Sequence, residues 1–62
     1  MTVLRLAVWE RNDKLVWVRE IPTQASNGKA IRALHTKLNN RAMREFPEWE
    51  RIEITDITGE LP

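Results

Sequence analysis

Only one stretch of this chain repeats its apolar residues at helical spacing, and it lies between two prolines, Pro22 and Pro47. At about 100° per residue, Ile31, Leu34, Leu38 and Ala42 share one narrow arc, with Phe46 at its edge. Ser26 and Asn27 are the candidate N-caps, because a short side-chain oxygen there accepts a free N–H of the first turn. Pro47 disfavours the α conformation at the residue before it, so the spacing predicts a helix from Gly28 to Arg44 or Glu45. One helix covers one face of one sheet, and that limits every other apolar residue.

The remaining apolar runs read as strands. "VLRLAVW", Val3 to Trp9, and "LVWVREI", Leu15 to Ile21, are rich in β-branched and aromatic residues and flank the polar turn "RNDK". A two-residue loop pairs Val8 with Trp17 and Arg5 with Glu20; a three-residue loop pairs Val8 with Val16 and Leu6 with Val18. The second gives the cleaner apolar face, and the spacing leaves both registers open. Pro22 has no N–H to give a ladder and is expected to end the second strand. "WERIEITDI", Trp49 to Ile57, sets Ile52 and Ile54 on one face and Arg51, Glu53 and Thr55 on the other, as a half-buried strand does. "TGELP" is a short tail. If the third strand returns antiparallel beside the first, the fold is a two-layer α+β sandwich, β-β-α-β. Its three-stranded antiparallel sheet has the order 2-1-3 and carries one helix on one face.

Under the cleaner register the inward set is Leu4, Leu6, Val8, Val16, Val18, Ile52 and Ile54. Val3, Ala7, Trp9, Leu15 and Trp17 then fall on the face the helix cannot reach. Clustered exposed aromatics mark contact sites, so Trp9 and Trp17 are candidate partner-binding residues; the alternative is that both finish a meagre core. Trp49, just after Pro47, is expected in core or hinge packing.

The chain has 62 residues and no cysteine. That is one domain at most, residues 1–62, with neither disulfides nor thiolate-held zinc. No leader peptide is visible, and the longest unbroken apolar run, Leu6 to Trp9, is far short of the ~20 residues a membrane span needs. The expectation is a soluble cytoplasmic protein that relies on its own packing or on a second copy of itself.

A formal net charge of +1 hides a strong segregation. Residues 1–21 carry net +1, residues 22–44 net +5 and residues 45–62 net −5. All the charge of the middle third is basic: Lys29, Arg32, Lys37, Arg41 and Arg44. Lys29, Lys37, Arg41 and Arg44 share an arc of about 120° on the helical wheel, opposite or flanking the apolar stripe. Such a ridge is either a solvated face offset by the acidic final third or a surface for an anionic partner. Like charges on one helix repel and add nothing to folding. An acidic protein surface is the favoured partner. Nucleic-acid phosphate is the alternative, weakened by the acidic third strand and by the lack of a helix-turn-helix or zinc-finger pattern.

Catalytic patterns are not met. "TQASNGKA" has Thr23 and Ala30 where a phosphate loop needs glycine and a hydroxyl. His35 is the only histidine, and with no cysteine it makes no metal site. Glu48, Glu50 and Glu53 resemble a charged edge, with no pocket to raise one carboxyl above another. The expectation is a protein that is not an enzyme and takes no cofactor.

The succession of the hairpin "VLRLAVWERNDKLVWVREI", the polar lead "PTQASNGK", the helix "AIRALHTKLNN" and the return strand "WERIEITDI" resembles the layout of small bacteriophage proteins that disable host machinery, such as inhibitors of RNA polymerase or of CRISPR effectors. That likeness implies stoichiometric binding that blocks or redirects a larger, nucleic-acid-handling complex. Lys29, Arg32, Lys37, Arg41, Arg44, Trp9 and Trp17 are the candidate partner-binding residues. Either surface could instead serve a homodimer.

Overall fold

The computed structural model describes residues 1–60. Its elements are β1 (Thr2–Glu10), a tight turn at Arg11–Asp13, β2 (Lys14–Thr23), α1 (Gly28–Glu45), β3 (Arg51–Asp56) and a 3-10 turn at Thr58–Glu60. The sheet is antiparallel in the order β2-β1-β3, with the helix on one face, which is the α+β sandwich expected. The last two residues of the tail, Leu61 and Pro62, lie outside the described residues.

β1 is central because its sequence allows it. Val3, Leu4, Leu6, Ala7 and Val8 are all buried and only Arg5 interrupts them, as suits a strand with a neighbour on each side. Leu6 and Val8 meet Ala42 of α1, and Val16, Trp17, Ile21, Leu38, Phe46, Ile52 and Ile54 close around them. The small Ala42 lets the helix approach the sheet. Leu4, Val8 and Ile57 are the largest side chains fully buried. The result is thin: a slab of 33 × 25 × 13 Å with a radius of gyration of 12.1 Å. A compact domain of this length has about 10.6 Å.

The hairpin combines both registers read from the sequence. Its tip is a three-residue loop, Arg11-Asn12-Asp13, closed by Glu10 opposite Lys14, with Trp9 opposite Leu15. Asn12 and Asp13 take left-handed backbone angles (φ 63° and 55°), which short polar side chains tolerate better than branched ones. Between Val8 and Trp9 the register shifts by one, leaving Val16 as the extra residue of a β-bulge. Below it, Val8 faces Trp17 and Arg5 faces Glu20, the pairing of the two-residue loop.

That shift corrects the expected inward set. Trp17 and Ile21 lie on the helix side, and Trp17 meets the Phe46 ring with centroids 5.7 Å apart. Val18, expected inside, is 44% exposed. A one-residue slip exchanges the faces of a strand, and the bulge applies that slip only to the part of β2 beyond it.

Two strand ends also differ from expectation. β2 runs through Pro22 to Thr23, so the proline does not end it. Val3 donates its N–H to Thr58 Oγ1 (2.9 Å) and accepts at its carbonyl from the Ile57 N–H (3.0 Å). Val3 therefore turns toward β3, and Pro22 opposite it faces the free edge of the sheet, where a missing donor breaks no ladder bond. β3 is shorter than the expected Trp49 to Ile57: the Trp49 N–H is used by the Phe46 carbonyl (3.0 Å) in the turn after the helix. Trp49 itself is 37% exposed, in the hinge rather than the core.

The helix forms as its ends dictate. The Asn27 side chain accepts from the Ala30 N–H (2.8 Å), while Phe46, ahead of Pro47, leaves the α region and donates its N–H to Ala42. Arg44 in the last turn suits the negative end of the helix dipole.

The C-terminal turn is tied back to β1 through Thr58, whose N–H reaches Asp56 Oδ1 (2.9 Å). The Thr58 hydroxyl first, and its backbone N–H second, hold the Asp56 carboxyl below its ordinary 3.8; slight desolvation opposes them and His35 adds a smaller lowering. A depressed carboxyl stabilises the fold fully above its unfolded value, and this is lost as pH falls through the folded value. Stability is therefore expected to fall as pH drops below 3.8. Asp56→Asn, which keeps an oxygen acceptor, should flatten that part of the profile, as measured by denaturant midpoints between pH 2 and 6.

Candidate partner-binding surfaces

The basic helix face is present as a ridge. Lys29, Arg32, Lys37, Arg41 and Arg44 are all exposed on α1. From Lys29 to Arg44 the ridge runs about 22 Å, at 1.5 Å per residue. Ala33 and Asn40 lie among the cations and keep the surface low. Arg32 stands about 60° outside the arc that holds the other four.

Pairing divides the set. Arg41 donates through Nε to Glu45 Oε1 at 3.0 Å, one helical turn on, with both side chains largely in solvent. A pair of this kind contributes only about 0.3–0.5 kcal/mol, so it neutralises more than it stabilises. Among the described residues, no carboxylate lies within 4.0 Å of Lys29, Arg32, Lys37 or Arg44. The first turn of α1 carries no acid either.

The two tryptophans do not form one patch. Trp9 is on the face without the helix, opposite Arg51, whose guanidinium sits 4.6 Å from the indole centroid. Such a contact is worth about 0.5–1 kcal/mol near the surface. The indole is half-buried, and its N–H is enclosed with no acceptor. Trp17 belongs to the opposite face, against Phe46 and the helix. The expected Trp9/Trp17 contact face is thus corrected: the bulge at Val16 sends the second indole inward. What β2 exposes to solvent instead are Leu15 (46%) and Val18 (44%).

A feature the sequence did not suggest lies beside the helix. α1 sits closer to β3 than to β2, so the helix-side face of β2 is only partly covered. Between them runs a groove of about 230 Å³, floored by Leu6, Trp17, Ile21, Leu38 and Ala42. Arg19, Glu20, Arg41 and Glu45 stand along it. Arg19 is opposite Leu6 in the ladder and shares its side of the sheet. Of the two registers the sequence left open, the two-residue-loop pairing puts Arg19 there, but the other gave the cleaner apolar face, which is why sequence reasoning missed it.

Elsewhere the chemistry is sparse. Among the described residues, no group of three His, Cys, Asp or Glu side chains could hold a metal. His35 is partly buried, and its Nε2 has no hydrogen-bond partner. No helix among the described residues is long and apolar enough to cross a membrane. A shallower hollow at the hairpin tip is lined by Trp9, Asn12, Asp13, Glu50 and Arg51.

No family model matches this chain, and neither a curated protein nor a solved structure does.

The two faces of β2 are separable by mutation. Trp17→Ala should cost about 2–4 kcal/mol, because it removes an aromatic packed against the helix. Val18→Ala, one residue on and on the other face, should cost under about 1 kcal/mol. Urea unfolding of both variants checks this, and equal losses would contradict the bulged register.

Proposed function

We propose that this protein acts by binding rather than by catalysis, docking the basic ridge of α1 on an acidic surface of a larger, nucleic-acid-handling complex in the cytoplasm. One observation carries this reading: Lys29, Arg32, Lys37 and Arg44 are exposed on one helix with no carboxylate partner within 4.0 Å among the described residues. Unpaired like charges weaken a helix slightly and attract a partner of opposite sign from a distance. The layout resembles that of small bacteriophage inhibitors, and that likeness implies the same action, in which a stoichiometric binder blocks or redirects its target.

A phosphate backbone is the less suitable partner. The strand nearest the helix is bounded by acids, with Glu50 and Asp56 exposed at its two ends. A long polyanion laid on the ridge would meet that repulsion, whereas a bounded acidic protein patch need not.

The test uses two fluorescent probes at 50 mM salt, an acidic peptide of eight glutamates and a 20-base-pair DNA duplex. The peptide should bind, and the triple variant Lys29→Gln, Lys37→Gln, Arg44→Gln should lose at least tenfold in affinity. The duplex should bind more weakly than the peptide. A duplex that binds more tightly, and loses about two orders of magnitude in affinity between 50 and 200 mM salt, would assign the ridge to phosphates instead. Binding of neither probe, or a triple variant indistinguishable from the parent, removes the reading.

A further inference from the structure

The free edge of β2 and the groove beside it form one surface. Val3 and Trp9 of β1 both point their carbonyls toward β3, where the N–H groups of Ile57 and Glu50 donate to them. Backbone groups alternate in direction along a strand, so Leu4, Leu6 and Val8 turn toward β2. Their partners Ile21, Arg19 and Trp17 are thereby used up. Val18 and Glu20 are left with N–H and C=O groups directed at the free edge, while Pro22 offers a carbonyl alone. The edge thus has a short window centred on Arg19.

The side chains along that window face two ways. Trp17, Arg19 and Ile21 point into the groove with Leu38 and Arg41. Arg41 is neutralised by Glu45, and Glu20 is engaged by Arg5 at 3.7 Å. Arg19 has no carboxylate within 4.0 Å among the described residues. The groove therefore holds apolar walls and one uncompensated cation at the middle of an unpaired strand edge.

A second copy is the occupant this chemistry rejects. Two β2 edges joined through their outward groups pair Val18 with Glu20 of the other copy. Arg19 of each then stands directly against its counterpart, an arrangement that destabilises a ladder. Centring on Val18 instead brings the bulge residue Val16 opposite Glu20 and forfeits the flanking bonds.

We infer that the β2 edge takes an extended peptide segment of a partner protein as a fourth strand, with an acidic side chain against Arg19 and an apolar one two residues to either side, over Trp17 and Ile21. In strand addition, main-chain bonds supply affinity, and alternate side chains entering pockets supply selectivity. The pattern apolar-x-acidic-x-apolar is symmetric, so it suits either strand direction. This deepens the protein-binding reading proposed above but uses a different surface, and the two fail separately.

The experiment measures anisotropy of a labelled nine-residue peptide, threonine-rich, with leucine, glutamate and leucine at its third, fifth and seventh positions. The parent protein should bind it. Arg19→Glu should weaken binding at least tenfold, and a peptide with lysine for glutamate should recover most of that loss on the Arg19→Glu protein. The triple ridge variant should bind this peptide as the parent does, which separates the groove from the ridge. A peptide with prolines at the fourth and sixth positions should not bind. Arg19 is exposed, and unchanged circular dichroism will show that its replacement folds. No binding at millimolar peptide, binding indifferent to Arg19→Glu, or loss confined to the ridge variant would each overturn the proposal. So would sedimentation showing a dimer that excludes the peptide, which would give the edge to a second copy.

Discussion

Val16, the one residue of β2 without a partner on β1, governs the faces of that strand. Because it is inserted between a three-residue turn and a regular ladder, the strand shifts register by one. Trp17 and Ile21 move under the helix, Val18 moves into solvent, and Arg19 comes to stand beside the groove. The packing of Phe46 on Trp17 and the character of the groove both follow. Had the hairpin kept the register of its turn, Val18 would have packed inside and the indole would have faced water.

The rest of the architecture manages a shortage of material. One 18-residue helix shields a three-stranded sheet and sits toward β3, so β1 is the strand buried on both faces and β2 is only partly covered. The C-terminal turn compensates in part. Ile57 is buried to 1% exposure, Thr58 bonds to Val3, and Arg5 lies within 3.9 Å of Glu60 as well as near Glu20. These exposed ion pairs contribute little energy; the buried Ile57 and the Val3–Thr58 bond hold the turn beside β1. The uncovered part of the sheet is at β2, which is also where the backbone is unpaired.

Charge is arranged by sequence segment and then by face. Basic residues occupy the outer side of α1, acidic ones gather around β3, and only Arg41 on the ridge is matched within its own helix. The ridge and the groove meet at Arg41, which projects from the helix and lines the groove as well. A partner engaging both surfaces would pass over that residue, and the Arg41–Glu45 pair would be its boundary.

Much of this was legible in the residues themselves. The helix from Gly28 to Glu45 was set by apolar spacing, the Asn27 cap and Pro47, all local in sequence. The strand order was legible only on the condition that the third strand return beside the first, as it does, and the basic ridge followed from five cations at helical spacing. Which face each residue of β2 occupies could not be read, because a bulge changes side-chain direction without changing composition or alternation. Nor could the ability of Pro22 to sit within a strand, since that depends on which edge has no neighbour. Arg19 as a candidate contact likewise needed the offset of the helix toward β3. Local preference determines elements; the relations among them, and so the surfaces they leave open, are decided only when distant segments compete for the same small core.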